Sequence, residues 1–142
     1  MIRAFEENDL TAIMQIWLDT NIKTHYFIPK EYWKDNYEMV RSVLPQAEVY
    51  VYEDDTTKQI DGFIGLSDDY IEGIFVRESV QSNGIGKQLL EHTKCVKSKM
   101  SLCVYQKNTR AIQFYQREQF VIQFENTDDN TNQKEYVMIW EK

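Results

Sequence analysis

The segment Gln81-Ser82-Asn83-Gly84-Ile85-Gly86-Lys87 has the residue types to hold an anion. Its glycines let a backbone approach a phosphate closely. Placed between a strand and a helix, its amide N–H groups and the positive end of the helix dipole face one ligand. Spacing separates the ligand classes that fit this physics. A nucleoside-triphosphate loop needs Gly, four residues, then Gly-Lys-Ser/Thr, but position 81 is Gln and Gln88 follows Lys87. A dinucleotide fingerprint needs a third glycine three positions after Gly86, where Leu89 stands, and it opens a βαβ series instead of coming late in the chain. What remains is Gln-x-x-Gly-x-Gly at the head of a helix.

The surrounding periodicity supplies the elements. Met1 to Phe5 reads as a short strand, and Asn8 or Asp9 can cap a helix whose apolar stripe is Leu10, Ile13, Met14, Trp17 and Leu18. A second helix runs from about Lys30 to Leu44, with Pro45 as its stop. Strands at Glu48 to Glu53, Gln59 to Leu66 and Tyr70 to Val76 form a meander. After the glycine loop, a helix from about Gly84 to Ser98 carries Ile85, Leu89, Thr93 and Val96 on one face and leads to a strand, Met100 to Gln106. That strand–helix–strand unit implies parallel neighbours and a right-handed crossover. A helix at Asn108 to Glu118 and a hairpin of Phe120 to Phe124 with Glu135 to Trp140 complete an α/β chain. There is no repeat, linker or low-complexity tract, so one domain over residues 1–142 is expected.

The last helix carries a second pattern, Asn108-x-x-Ala111-x-x-Phe114-Tyr115-x-x-x-x-Phe120. With the glycine loop it resembles the paired signatures of the GNAT N-acetyltransferases, Gln/Arg-x-x-Gly-x-Gly/Ala and Asn-x-x-Ala-x-x-Phe-Tyr-x-x-x-Gly-Phe, in the same order and one strand apart. The order of elements also matches, so the resemblance spans the chain and is that of a small bacterial member. It implies a mostly antiparallel central sheet with its fourth and fifth strands parallel and helices on its faces. One departure is Gln119, which stands where the family has Gly. Glycine there serves a left-handed turn that Gln adopts only at steric cost.

The resemblance further implies transfer of an acetyl group from acetyl-coenzyme A to a primary amine by direct attack. Coenzyme A would lie on Ile74, Phe75 and Val76 where the strands splay, with its pyrophosphate on Gln81, Ser82, Asn83, Gly84, Ile85, Gly86 and Lys87, and with Asn108 orienting it or the adjoining turn. Tyr115 matches the position of the general acid. A tyrosine, with a pKa near ~10 against ~8.5 for a thiol, can protonate the departing sulfur. Glu72 is the first candidate for a base, with Asp68 and Asp69 as alternatives. The acceptor site of this fold comes from the first two helices, here His25, Tyr32 and Trp33, which either form an amine pocket or, for His25 and Trp33, serve as loop cap and plain core.

Bulk properties narrow the partners. A net charge of −7 argues against nucleic acid and mildly favours a cationic amine, here a protein lysine, N-terminus, peptide or small amine. No apolar run approaches the ~18 residues of a membrane span, and the charged N-terminus has no signal-peptide core, so a cytoplasmic protein is expected. Cys95 and Cys103 have no metal-type spacing and are expected to be buried small side chains. Aromatics in Tyr136 to Trp140 either contact a second copy in a homodimer or fill the core. Against lysine acetylation stand two other readings, a small-molecule (polyamine or drug) acetyltransferase and a non-catalytic acyl-CoA-binding regulatory module.

Overall fold

The computed structural model describes residues 1–142. Its elements are β1 (Ile2–Ala4), α1 (Leu10–Thr24), α2 (Lys30–Val43), β2 (Glu48–Glu53), β3 (Ile60–Ser67), β4 (Tyr70–Val76), α3 (Ile85–Val96), β5 (Lys99–Tyr105), α4 (Thr109–Arg117), β6 (Val121–Asp128) and β7 (Gln133–Glu141). The strands make one seven-stranded sheet in the order β1-β2-β3-β4-β5-β7-β6, antiparallel except for β4 and β5. This is the mixed α/β architecture expected from the sequence.

Two apolar layers sandwich the sheet. On one face α1 and α2 bury Ile13, Met14, Trp17 and Trp33 against Val49, Val51 and Phe63. On the other, Leu89 and Leu90 of α3 and Tyr115 of α4 pack with Ile64, Leu66, Leu102 and Met138. Side chains such as Leu89 and Leu90, fully out of solvent, contribute roughly 1.5–3 kcal/mol each. Met138 and Trp140 belong to this core, so on β7 the core alternative holds for those two.

The strands that frame the glycine loop part company early. β4 and β5 pair only at Tyr70↔Ser101 and Ile71↔Leu102, so the rest of β4 has no partner on that side. The departure coincides with a bulge, since Ile71 faces Leu66 and Gly73 faces Gly65, leaving Glu72 as the extra residue. The Phe75 ring folds over Gly73, where a Cβ would stand 2.4 Å from it, so only glycine allows that approach. At the far end of β4, Arg77 pairs with the buried carboxylate of Asp61 and donates its amide to the Asp61 carbonyl at 2.8 Å, fixing where the strand stops.

Several local expectations are corrected. Asp9 precedes α1 but does not cap it through its side chain. Its carboxylate accepts Arg3 at 2.8 and 2.9 Å and the Glu6 amide at 2.8 Å, closing a 3₁₀ turn instead. Val96 is the last residue of α3 and is exposed. Cys95 is exposed on α3, and Cys103 is half-buried because on β5 it faces away from buried Leu102 and Val104. Gln119 takes φ 75°, the left-handed conformation that the missing glycine would have favoured.

Candidate active site

From Ser82 to Lys87 no backbone amide finds an acceptor in the chain; the next amide, Gln88, bonds the Gly84 carbonyl at 3.0 Å. These are the free donors of a helix start and of the turn before it. Gly84 begins α3 with φ 81°, and Ser82 precedes it at φ 69°. Successive amides thereby converge on one spot at the positive end of a 12-residue helix. The loop is anchored on both sides. Gln81 Nε2 donates to the Val76 carbonyl at 2.9 Å, while Arg110 reaches from α4 to Gln81 Oε1 at 3.3 Å and Ser82 Oγ at 2.8 Å.

A cavity of about 870 Å³ runs from this loop to the β4 edge and α4. Of the residues singled out in the sequence, Ile74, Val76, Gln81, Ser82, Gly84, Ile85, Gly86, Lys87, Asn108 and Tyr115 line it. Asn83 is exposed at the loop tip and does not. Phe75 does not line it either, its ring stacking on Phe63 at 5.0 Å in the opposite layer. A Cβ on Gly86 would stand 3.6 Å from Phe114 and 3.8 Å from Val76, ordinary contact distances, so the position faces the gap between those side chains.

Tyr115 is 8% exposed, packed between Phe114 at 5.2 Å and Phe120 at 5.5 Å. Its hydroxyl has no protein hydrogen-bond partner, and it belongs to the cavity wall. Burial pushes this hydroxyl well above the usual tyrosine range, so it keeps its proton across all ordinary pH. Asn108 is the N-cap of α4, its Oδ1 accepting the Ala111 amide at 3.2 Å.

The other candidates lie elsewhere. Glu72, at the bulge, is exposed and does not reach this cavity. Asp68 and Asp69 form the β3–β4 turn at the opposite end of β4 from the glycine loop. His25, Tyr32 and Trp33 are on the α1/α2 side. Trp33 is core, and His25 ends α1, stacked on Trp33 at 5.4 Å with Nδ1 3.0 Å from Asn21 Oδ1. Burial lowers its pKa to about 4, so the ring is neutral at pH 7.

Arg110, Phe114 and Thr24 were not anticipated. Arg110 and Thr24 also line a second cavity of about 780 Å³ that shares Gln81 and Asn108 with the first. Phe114 is a position of the α4 motif whose residue type alone suggests only core packing. Arg110 lay between motif positions, and only the contact with Ser82 distinguishes it.

The comparisons decide the family. Residues 45–122 match the acetyltransferase (GNAT) domain model. The chain is 33% identical over 142 residues to the peptidyl-lysine N-acetyltransferase YiaC of Escherichia coli, covering 99% of this chain and 96% of that one. This protein belongs to the GNAT acetyltransferases. Its structure superposes on the solution structure of apo-form YjaB from Escherichia coli with a TM-score of 0.86 and 25% identity, covering 99% of this chain and 96% of that one. A putative acetyltransferase of Salmonella typhimurium, yncA, solved with acetyl-CoA, shares the fold at TM-score 0.72 and 17% identity over 99% and 92% of the two chains. The protein is therefore an acetyl-CoA-dependent N-acetyltransferase with an amine acceptor. The free amides of Ser82 to Lys87 and the unpaired β4 edge fit that donor. No helix is long and apolar enough to cross a membrane.

Proposed function

We propose that residues 1–142 act as one GNAT domain that acetylates the side-chain amine of protein lysines, with Tyr115 as general acid. The observation that carries the chemistry is one cavity lined by both the glycine loop and the protonated, otherwise unbonded Tyr115. The lysine acceptor is supported by the YiaC relative, a peptidyl-lysine N-acetyltransferase aligned end to end with this chain.

Acetyl-CoA supplies the acetyl group in activated form, as a thioester. The amides of Ser82 to Lys87 hold its pyrophosphate, with Gln81 and Arg110 keeping their turn in shape. The unpaired edge of β4 from Glu72 to Val76 bonds the pantetheine arm, and a main-chain N–H of that edge polarises the carbonyl. Tyr115 donates its proton to the departing sulfur. Glu72, displaced by the bulge beside the point where the strands part and outside the cavity itself, takes a proton from the amine through water.

The test is acceptor turnover, read as thiol release and as the mass of the product. The purified protein should acetylate lysine peptides in an acetyl-CoA-dependent reaction. Turnover of spermidine with none on lysine peptides would overturn the protein-lysine assignment. Binding of acetyl-CoA without turnover of either amine would instead fit a regulatory module.

A further inference from the structure

Beside the parting of β4 and β5, on the α1/α2 face, β5 and β7 present Cys103, Tyr105, Glu135 and Val137, none of them fully buried. Tyr105 stands in a wall of rings, 5.1 Å from His25 and 5.7 Å from Phe27, with Tyr32 beyond at 4.9 Å from Trp33. The β6–β7 hairpin closes the other side, and the Tyr105 hydroxyl donates to Asp128 Oδ2 at 2.6 Å.

Both carboxylates here have only neutral partners. Asp128 accepts the Tyr105 hydroxyl and the Asn130 amide, and Glu135 accepts Asn126 Nδ2 at 2.9 Å. An ionised carboxylate has about four acceptor positions, so each keeps room for a cation. Two further polar groups are out of solvent without a partner, Thr131 Oγ1 on the hairpin and the Trp33 indole N–H, Trp33 being 8% exposed within the same group of rings. Burial first makes Tyr32, Tyr70, Tyr105 and Cys103 hold their protons harder than usual; Asp128 adds to this at Tyr32 and Tyr105, Cys103 and then Glu72 and Glu135 at Tyr70, and Glu135 and Asp128 at Cys103, where a bond from Tyr70 acts the other way. These carboxylates outnumber Lys107, whose ammonium lies over the Phe27 ring at 5.3 Å, and the walls are aromatic.

We propose that Asp128 and Glu135 are the charge-selecting residues of the acceptor site, holding the ammonium of an alkylamine whose stem lies against Tyr32 and Tyr105. Aromatic faces and carboxylates together favour such a cation over a neutral amine. The proposal rests on the reading of the chain as an alkylamine acetyltransferase and adds the residues that admit the acceptor. Asp128 and Glu135 are distant in sequence from the His25 to Trp33 segment that the family resemblance points to, and Tyr105 joins the two across this surface.

The experiment is steady-state kinetics of the full chain with Nα-acetyl-lysine amide as acceptor, comparing wild type with Asp128→Asn and Glu135→Gln. Asn at 128 keeps an oxygen for the Asn130 amide, so the hairpin turn survives, and Glu135→Gln probes the same field without touching that turn. Each variant should raise the acceptor KM about tenfold while kcat stays within about threefold and the KM for acetyl-CoA is unchanged. The double variant should also lose the salt dependence of kcat/KM. Acceptor KM within about twofold of wild type in both variants, or a fall in kcat alone, overturns the proposal. With a wild type that turns over the lysine probe, such a result overturns the charge-selecting role alone; a wild type that turns over no lysine overturns the function reading as well.

Discussion

Asn108 places its side-chain nitrogen 3.4 Å from Nε2 of His25, joining the start of α4 to the end of α1 across 83 positions of sequence. One side chain thus serves both elements, since its oxygen caps α4 through the Ala111 amide. Asn108→Ala should lower the unfolding free energy by about 1–2 kcal/mol in urea titration, the usual loss of an N-cap with a further hydrogen bond. Asn108→Asp, which keeps the capping oxygen, should recover most of it. Equal losses in the two variants would show that the cap contributes nothing.

His25 makes stability depend on pH. Its folded pKa is about 4 because burial disfavours the charged ring, against ~6.5 in an unfolded chain. Between those values the unfolded state binds more protons, so stability falls as pH drops from about 6.5 toward 4 and is fully present above that window. The loss can reach about 3 kcal/mol for a shift of this size. Denaturant unfolding between pH 7.5 and 4.5 should show it in the wild type and should show a shallower slope in His25→Gln. An identical slope in both would mean that other groups carry the effect.

Gln119 adopts φ 75°, which side chains enter at a cost of roughly 1–2 kcal/mol. Gln119→Gly should therefore stabilise the protein by about 1 kcal/mol and raise Tm by a few degrees. Thermal unfolding checks this, and an unchanged or lower Tm would show that the turn is not strained.

Gly86 separates stability from binding. Nothing lies within 3.6 Å of a Cβ there, so Gly86→Leu should leave Tm unchanged or slightly higher, because glycine within a helix costs up to ~1 kcal/mol. The larger side chain fills the space between Phe114 and Val76, and acetyl-CoA affinity should fall at least about tenfold, close to 1.4 kcal/mol. Calorimetric titration with unchanged affinity would place the donor elsewhere.

The fold was largely legible because its signals are local. Helical spacing, Pro29 and Pro45 at the ends of elements, and the polar turn before Gln59 each report on a few neighbouring residues, and every strand and helix lies within a few positions of its sequence estimate. The glycine loop was legible for the same reason. What escaped depends on register or on distant partners. Glu72 becomes a bulge only through the pairing of Gly65 with Gly73, and Asp9 turns from α1 because Arg3 takes its carboxylate. Arg110 meets Ser82 from 28 positions away, and Tyr105 meets Asp128 from 23 positions away. No periodicity records such meetings.

The most direct test of the central claim is Tyr115→Phe, which removes one oxygen from a side chain whose hydroxyl has no partner in the protein and whose ring fills the α3/α4 core. Single-turnover and steady-state acetylation of a lysine peptide should show kcat reduced about 100-fold or more, the usual scale of a lost proton donor, with acetyl-CoA affinity and Tm nearly unchanged. Retention of wild-type kcat, with the donor still bound, would contradict the account, because the proton for the departing sulfur would then come from another source.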